Sequence, residues 1–321
     1  MEHRIRYGAL STASILPRFV GGMNETENGC VEAIASRTLE KAQRTAQELG
    51  IPKAYGDYHE LLQDPELDAV YIPVMNSLHY SYAYDALKAG KHVVMEKPFV
   101  LHTWQAEELQ ELAVSNSLFL TEAIKTPFLP VYAAVKHYLE QHPSNRIRYM
   151  EFKQSYTGGS YISGWNKEKE SGGGVLYGNE AYFFRMAEFF GGLVEECYGT
   201  ASVGQSGVED QISLSVRLQD GILAALQVST EVLFDNGLTI YLDEGRIVIP
   251  DYWKATHAFV IEEGTVIQEF HFPHDFELCY ELSHYNDCIQ NGLTGSPVNP
   301  LSSTIRYIGY CETLYQSWDK K

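Results

Sequence analysis

The sequence predicts a two-domain α/β protein, with a doubly wound parallel sheet first and an α+β domain on a large, mostly antiparallel sheet after it. Three observations carry that prediction. Up to about residue 122, short runs apolar on both faces alternate with helical patterns, which is how a parallel sheet covered on both sides reads. Beyond that point, alternating strands follow one another across short turns, the rhythm of an antiparallel sheet with helices on one face. The length, 321 residues, is ample for two cores. The domains are accordingly read as 1–122 and 123–321.

Taken in order, Ile5 to Leu10 is a strand, and Ser11-Thr12-Ala13 turns the chain into a segment through Leu16, Phe19 and Val20. Val31 to Ser36 is the second strand. The helix Thr38 to Leu49 follows, with Thr38 at the N-cap and Gly50 where a left-handed C′ residue belongs. Asp68 to Pro73 is a third strong strand, and Ser77 leads into a helix that stops at Gly90. His92 to Met95, a helix from Thr103 to Val114 and the strand Leu118 to Thr121 complete the half. Right-handed crossovers make this a doubly wound, Rossmann-type nucleotide-binding domain. In the second half, Arg148–Gln154, Ile212–Arg217, Leu223–Thr230, Leu238–Leu242, Ile247–Ile249 and Val266–His271 read as strands. Helices are read at Ala181–Phe190 and Phe276–Gln290, and a last one at Ser303–Trp318 closes the chain.

Composition excludes several classes. Lys+Arg 24 against Asp+Glu 42 gives −18, so neither a nucleic-acid backbone nor an anionic membrane is an expected partner. Hydrophobic residues at 45% and charged residues at 21% place the chain among globular proteins. Five cysteines without a C-x-x-C pair read as reduced thiols, and with no signal-peptide core the expected location is the cytoplasm. His257, His271, His274 and His284 lack metal-ligand spacing, so no metal is expected.

Gly8-Ala9-Leu10-Ser11-Thr12-Ala13 is the first strand-to-helix turn, where small residues let backbone N–H groups approach a pyrophosphate. Glycine is missing at Ser11 and Ala13, and a plain turn is the competing reading. At the end of the second strand, Ser36-Arg37 offers a hydroxyl and a guanidinium rather than an acid. That suits a 2′-phosphate and favours NADP over NAD, the alternative being a solvated arginine.

Tyr71-Ile72-Pro73-Val74-Met75-Asn76-Ser77-Leu78-His79 follows the third strong strand and Glu96-Lys97-Pro98 the fourth. Together with the opening turn and Ser171-Gly172-Gly173-Gly174-Val175-Leu176, these motifs resemble the glucose–fructose oxidoreductase, inositol dehydrogenase and rhizopine-catabolism (Gfo/Idh/MocA) family across the whole chain. The S-T-A turn is similar to its subgroup of dimeric dihydrodiol and xylose dehydrogenases. The resemblance implies an NAD(P)-dependent oxidoreductase moving hydride between nicotinamide and a secondary alcohol or carbonyl of a sugar, polyol or dihydrodiol. It also implies Lys97 and Tyr182 as catalytic residues. Pro73, Asn76, His79, Glu96 and Glu122 would lie along the cofactor, beside Gly8, Ser11, Thr12, Ala13, Ser36 and Arg37. Trp165, Asn166 and Asn179 are candidate substrate contacts.

Physical chemistry gives the same lysine a role. Side chains at the carboxyl end of a parallel strand project into the ligand crevice, and proline fixes where the preceding residue points. A lysine there could take the alcohol proton as hydride leaves carbon. Standing alone it would read as a solvated loop lysine, His79 as a buried helix-face histidine, and Tyr182 as packing beside Phe183 and Phe184. One departure stands out: Gly178 occupies the place of the family's aspartate and Glu180 that of its glycine. A cofactor-binding sensor without turnover, or redox-neutral glycoside chemistry, are therefore the alternatives. The open face of the second sheet is expected to be covered in a homodimer or larger assembly.

Overall fold

β1 (Ile5–Leu10), α1 (Leu16–Asn24), β2 (Gly29–Ala35) and α2 (Leu39–Leu49) open the chain, with Gly50 at φ 69° ending α2 as its position predicts. Then come β3 (Lys53–Tyr55), α3 (Tyr58–Leu62), β4 (Ala69–Ile72) and α4 (His79–Lys88). β5 (His92–Glu96), α5 (Thr103–Ser115) and β6 (Leu120–Ala123) complete the alternation. The computed structural model describes residues 4–156 and 164–318. The strands pair in parallel in the order β3-β2-β1-β4-β5-β6. Strand order reverses beside β1, so a crevice opens at the carboxyl ends of β1 and β4. β3 and α3 escape the sequence reading because three and five residues are too few to show a period. The Asp57 carboxylate reveals α3 instead, accepting from the amides of His59 at 2.7 Å and Glu60 at 3.2 Å.

Residues 125–275 with 309–321 form a second unit, and residues 276–308 return to the first. An uninterrupted second domain running from 123 to 321 is thus not what the packing gives. The second unit holds α6 (Pro130–Gln141), β7 (Ile147–Ser155), α7 (Val175–Gly191), β8 (Val194–Val203) and β9 (Glu209–Leu218). β10 (Leu223–Ser229), β11 (Gly237–Leu242), β12 (Arg246–Pro250), β13 (His257–Glu262) and β14 (Thr265–His271) follow. The eight strands run β14-β13-β12-β11-β7-β10-β9-β8, antiparallel except for the parallel pair β7·β10. α6 corrects the expectation of few helices. β8 is an edge strand outside the sequence reading: only Val194 is buried, and the rest alternates between half-buried and exposed positions. α6 and α7 cover one face. On the other, Tyr198, Leu223, Tyr241, Val266 and Ile267 are exposed.

α8 (Leu278–Gln290) and the first part of α9 (Leu301–Trp318) belong to the first unit. Leu301 and Ile308 join Leu10, Ile72, Met95 and Phe99 in one buried cluster. The Tyr7 hydroxyl donates to Asn286 Oδ1 at 2.9 Å, and Arg18 pairs with Glu277. Among the described residues no helix is long and apolar enough to cross a membrane. All five cysteines are free thiols.

Candidate active site

The sheet delivers Lys97 one residue past the end of β5, on a turn tied down from several sides. Glu96 is fixed first. The buried Tyr71 hydroxyl donates to its Oε1 at 2.6 Å, and the Lys97 amide donates to its Oε2 at 3.3 Å. Tyr71 is itself stacked on Phe19, with ring centroids 3.8 Å apart. Glu96 is therefore an anchor for the turn. The Lys97–Pro98 peptide is cis, and the Lys97 side chain is half-buried.

His79 holds the same turn from α4. Its Nδ1 lies 2.8 Å from the Pro98 carbonyl oxygen and its Nε2 3.1 Å from that of Val74. The ring is fully buried, and burial holds it below the ordinary imidazole range, hence neutral. Both ring nitrogens lie against backbone carbonyls, and the single N–H of the neutral ring serves one of the two at a time. Pro73, directly after β4, and Asn76, which opens the short 3₁₀ turn before α4, are buried near the crevice.

Glu122 meets donors from its own unit. Its carboxyl is fully buried; Oε1 accepts from the Phe99 amide at 3.0 Å, and Oε2 from Thr304 at 3.2 Å and from the Tyr307 hydroxyl. Burial raises it to about 7, against the opposing pull of Tyr307, Phe99, Thr304 and Lys97.

At the other end of the crevice, Ser11, Thr12 and Ala13 are half-buried, and α1 begins with no acid in its first turn and no side-chain cap. Such a helix start fits a pyrophosphate. Ser11 sits at φ 130°, in the region that favours the glycine other turns of this kind carry, and its hydroxyl is hydrogen-bonded to Tyr58. Gly8 lies inside β1 instead of in the turn. A methyl there would meet Leu61 at 2.6 Å and Leu67 at 2.8 Å, so packing alone calls for glycine at this position. Ser36 is buried, with its amide donating to Tyr55 at 3.1 Å, while Arg37 is exposed beside Tyr58. Tyr58 and Tyr71 are the residues sequence reasoning missed here. Tyr71 stood inside a quoted motif, and Tyr58 carried no signal. The donor set as a whole fits a nicotinamide dinucleotide.

Tyr182 belongs to the second unit, on α7. It is half-buried where Phe183 and Phe184 are core, which sets it apart from packing aromatics. The buried Lys125 ammonium lies 5.7 Å from its ring centroid, a cation–π contact no motif announced. One helical turn away, Asn179 Nδ2 donates to the Val175 carbonyl at 2.7 Å, and its Oδ1 accepts from the Tyr156 hydroxyl at 2.8 Å. The Gln154 Nε2 donates in turn to Tyr156 at 2.7 Å. A backbone carbonyl can only accept, so it sets the direction of the whole relay.

Trp165 and Asn166 are half-buried in the 3₁₀ turn Gly164–Lys167. Asn166 acts through its carbonyl, which accepts the Gly174 amide at 3.1 Å and would clash with a methyl at Gly173, 2.3 Å away. Gly174, at φ 102°, leaves room for the Glu209 carboxylate to accept the Leu176 amide at 2.9 Å at the start of α7. The glycine run is therefore a close-packed turn. Gly178 and Glu180 are both buried in α7.

Residues 12–123 match the oxidoreductase family with an NAD-binding Rossmann fold, and residues 132–248 match the GFO/IDH/MocA C-terminal domain. The trans-1,2-dihydrobenzene-1,2-diol dehydrogenase of Xenopus tropicalis is 30% identical over 286 residues, 85% of each chain. That of Xenopus laevis is 29% identical over 93% of each. Among solved structures, a 3-ketoreductase from Actinomadura kijaniata in complex with NADP and TDP-benzene shares the fold with TM-score 0.88 and 23% identity, covering 98% of each chain. Biliverdin reductase from Synechocystis, with biliverdin and NADP+, gives TM-score 0.81 at 18% identity, covering 98% of this chain and 99% of that one.

Proposed function

The chain belongs to the Gfo/Idh/MocA family of NAD(P)-dependent oxidoreductases, and from that premise we propose that Lys97 moves the proton at the oxygen of a secondary alcohol or carbonyl on a sugar, polyol or dihydrodiol. When bound, a nicotinamide dinucleotide supplies the hydride carrier. Everything else falls to side chains. Oxidation takes a hydride from carbon and a proton from oxygen, and the Lys97 amine accepts that proton; reduction runs the same path backwards. In the same reading Tyr182 is the second candidate proton donor, and Asn179 and Trp165 are candidate substrate contacts. The observation that carries the reading is the turn at 97–99, which Glu96, His79 and Glu122 hold in one place.

NADP is the preferred cofactor in this reading, supported by the exposed Arg37 at the end of β2 and by the absence of an acid there. A homodimer through the outer sheet face is supported by the exposed Tyr198, Tyr241, Val266 and Ile267, and a cytoplasmic location by the free thiols.

The test is cofactor titration followed by a panel of polyols, aldoses and diols, read by the absorbance of the reduced nicotinamide. Lys97→Met is expected to lose about 10²- to 10⁴-fold in kcat while cofactor affinity holds. Near-normal turnover by that variant would overturn the reading. Cofactor binding with no turnover would point to a sensor. Product formation without net absorbance change would point to a redox-neutral cycle.

A further inference from the structure

Glu122 is the most enclosed carboxyl in contact with the Lys97 turn, and the chain builds its surroundings from far away. Its side chain takes hydrogen bonds from Phe99, two residues after Lys97, and from Thr304 and Tyr307 of α9. Its backbone carbonyl accepts the Tyr285 hydroxyl at 3.1 Å and Asn299 Nδ2 at 3.0 Å. Four of these five partners belong to the returning segment 276–308. A carboxyl is costly to bury, and Phe99 together with Thr304 and Tyr307 of α9 supplies the donors that make it tolerable, while Tyr285 of α8 holds its backbone carbonyl.

The partners also allow either charge state. Oε1 accepts the Phe99 amide whether the group is a carboxylate or an acid. On the Oε2 side the Tyr307 and Thr304 hydroxyls, 2.9 Å from each other, can donate to a carboxylate or rotate to accept its proton. The charged and titratable groups around it are Lys97 from the turn, Tyr307 from α9, Tyr285 from α8 and, hydrogen-bonded to Tyr285, the buried Glu281. Glu96 on the neighbouring strand is turned to Tyr71. Lys97 is the nearby cation, and its charge favours the ionised form of Glu122.

We propose that Glu122 is the positioning residue behind Lys97: its carboxyl holds the Phe99 amide and so the turn, and its ionisation supplies the negative charge that favours the ammonium formed during alcohol oxidation. This rests on reading Lys97 as the proton-transfer group. With burial placing the ionisation at about 7, oxidation is fastest on the alkaline side of that value and slows as the carboxyl takes up its proton.

The experiment is the pH profile of kcat for alcohol oxidation by the full-length protein with saturating NADP. The wild type is expected to show a rise through about 7. Glu122→Gln is expected to remove that rise and to run about tenfold slower on its alkaline side. Should Glu122→Gln fail to fold by circular dichroism, Tyr307→Phe decides, because losing that donor moves the rise to higher pH. An unchanged profile in whichever variant folds would overturn the proposal. Infrared difference spectra across the same range are expected to show a buried carboxylic acid losing its proton in the wild type. Full turnover by Lys97→Met would overturn the reading of Lys97 and this proposal with it, whereas an unmoved Glu122 profile leaves Lys97 standing.

Discussion

Nδ1 of His79 and the carbonyl oxygen of Pro98 lie 2.8 Å apart, joining the first turn of α4 to the residue that follows Lys97. The opposite ring nitrogen lies 3.1 Å from the Val74 carbonyl oxygen, so the imidazole packs between the loops after β4 and β5. Replacing it by leucine removes the one N–H that a neutral ring offers to these buried carbonyls. His79→Leu is expected to lower stability by about 1–3 kcal/mol, read as a lower Tm, and to reduce kcat more than cofactor affinity. Equal loss of kcat and cofactor affinity would count against the imidazole acting on the lysine turn.

Arg37 is exposed beside Tyr58, directly past the end of β2. Arg37→Ala is expected to weaken NADP binding by about 10- to 100-fold, with NAD binding nearly unchanged. Isothermal titration with both cofactors checks this, and equal weakening would refute the phosphate contact.

Gly8 is a packing glycine. Gly8→Ala pushes a methyl into Leu61 and Leu67, and an overpacking loss of about 1–3 kcal/mol is expected in denaturant titration. The folded fraction should bind cofactor normally. Selective loss of cofactor affinity without loss of stability would show that the residue touches the ligand after all.

Acid sensitivity has a local source at Asp64. Burial pushes its carboxyl up, but Lys53 at 2.8 Å, the Glu66 amide at 2.9 Å and the Tyr55 hydroxyl at 2.8 Å outweigh that and bring it down to about 2. The depressed value fixes the sign: Asp64 contributes stability fully above its ordinary value of 3.8, and loses it as pH falls through about 2. Asp64→Asn should therefore be less stable near neutral pH and show a shallower decline over that acid window in thermal melts.

Much of the first unit was legible in the chain because its signals are local. Doubly buried strands, a left-handed glycine at Gly50 and the Glu96-Lys97-Pro98 turn each state their structure within a few residues. α6 lies outside the sequence reading although Pro130 stands at a helix start and Val131, Tyr132, Val135 and Tyr138 recur at helical spacing. Tyr182 was singled out by a motif, but the half-burial that separates it from Phe183 and Phe184 became visible only on α7.

By itself, the sequence determined the parallel sheet, its nucleotide-binding crevice and the position of Lys97 at a strand end, since periodicity and turn chemistry act over neighbouring residues. Tertiary structure alone decided which protein groups His79 and Glu122 meet. The Tyr307 hydroxyl that reaches Glu122 is 185 residues away along the chain, and no local pattern records such a meeting. Packing of α8 and α9 against the first sheet creates it, because a buried carboxyl must find its donors wherever the fold brings them.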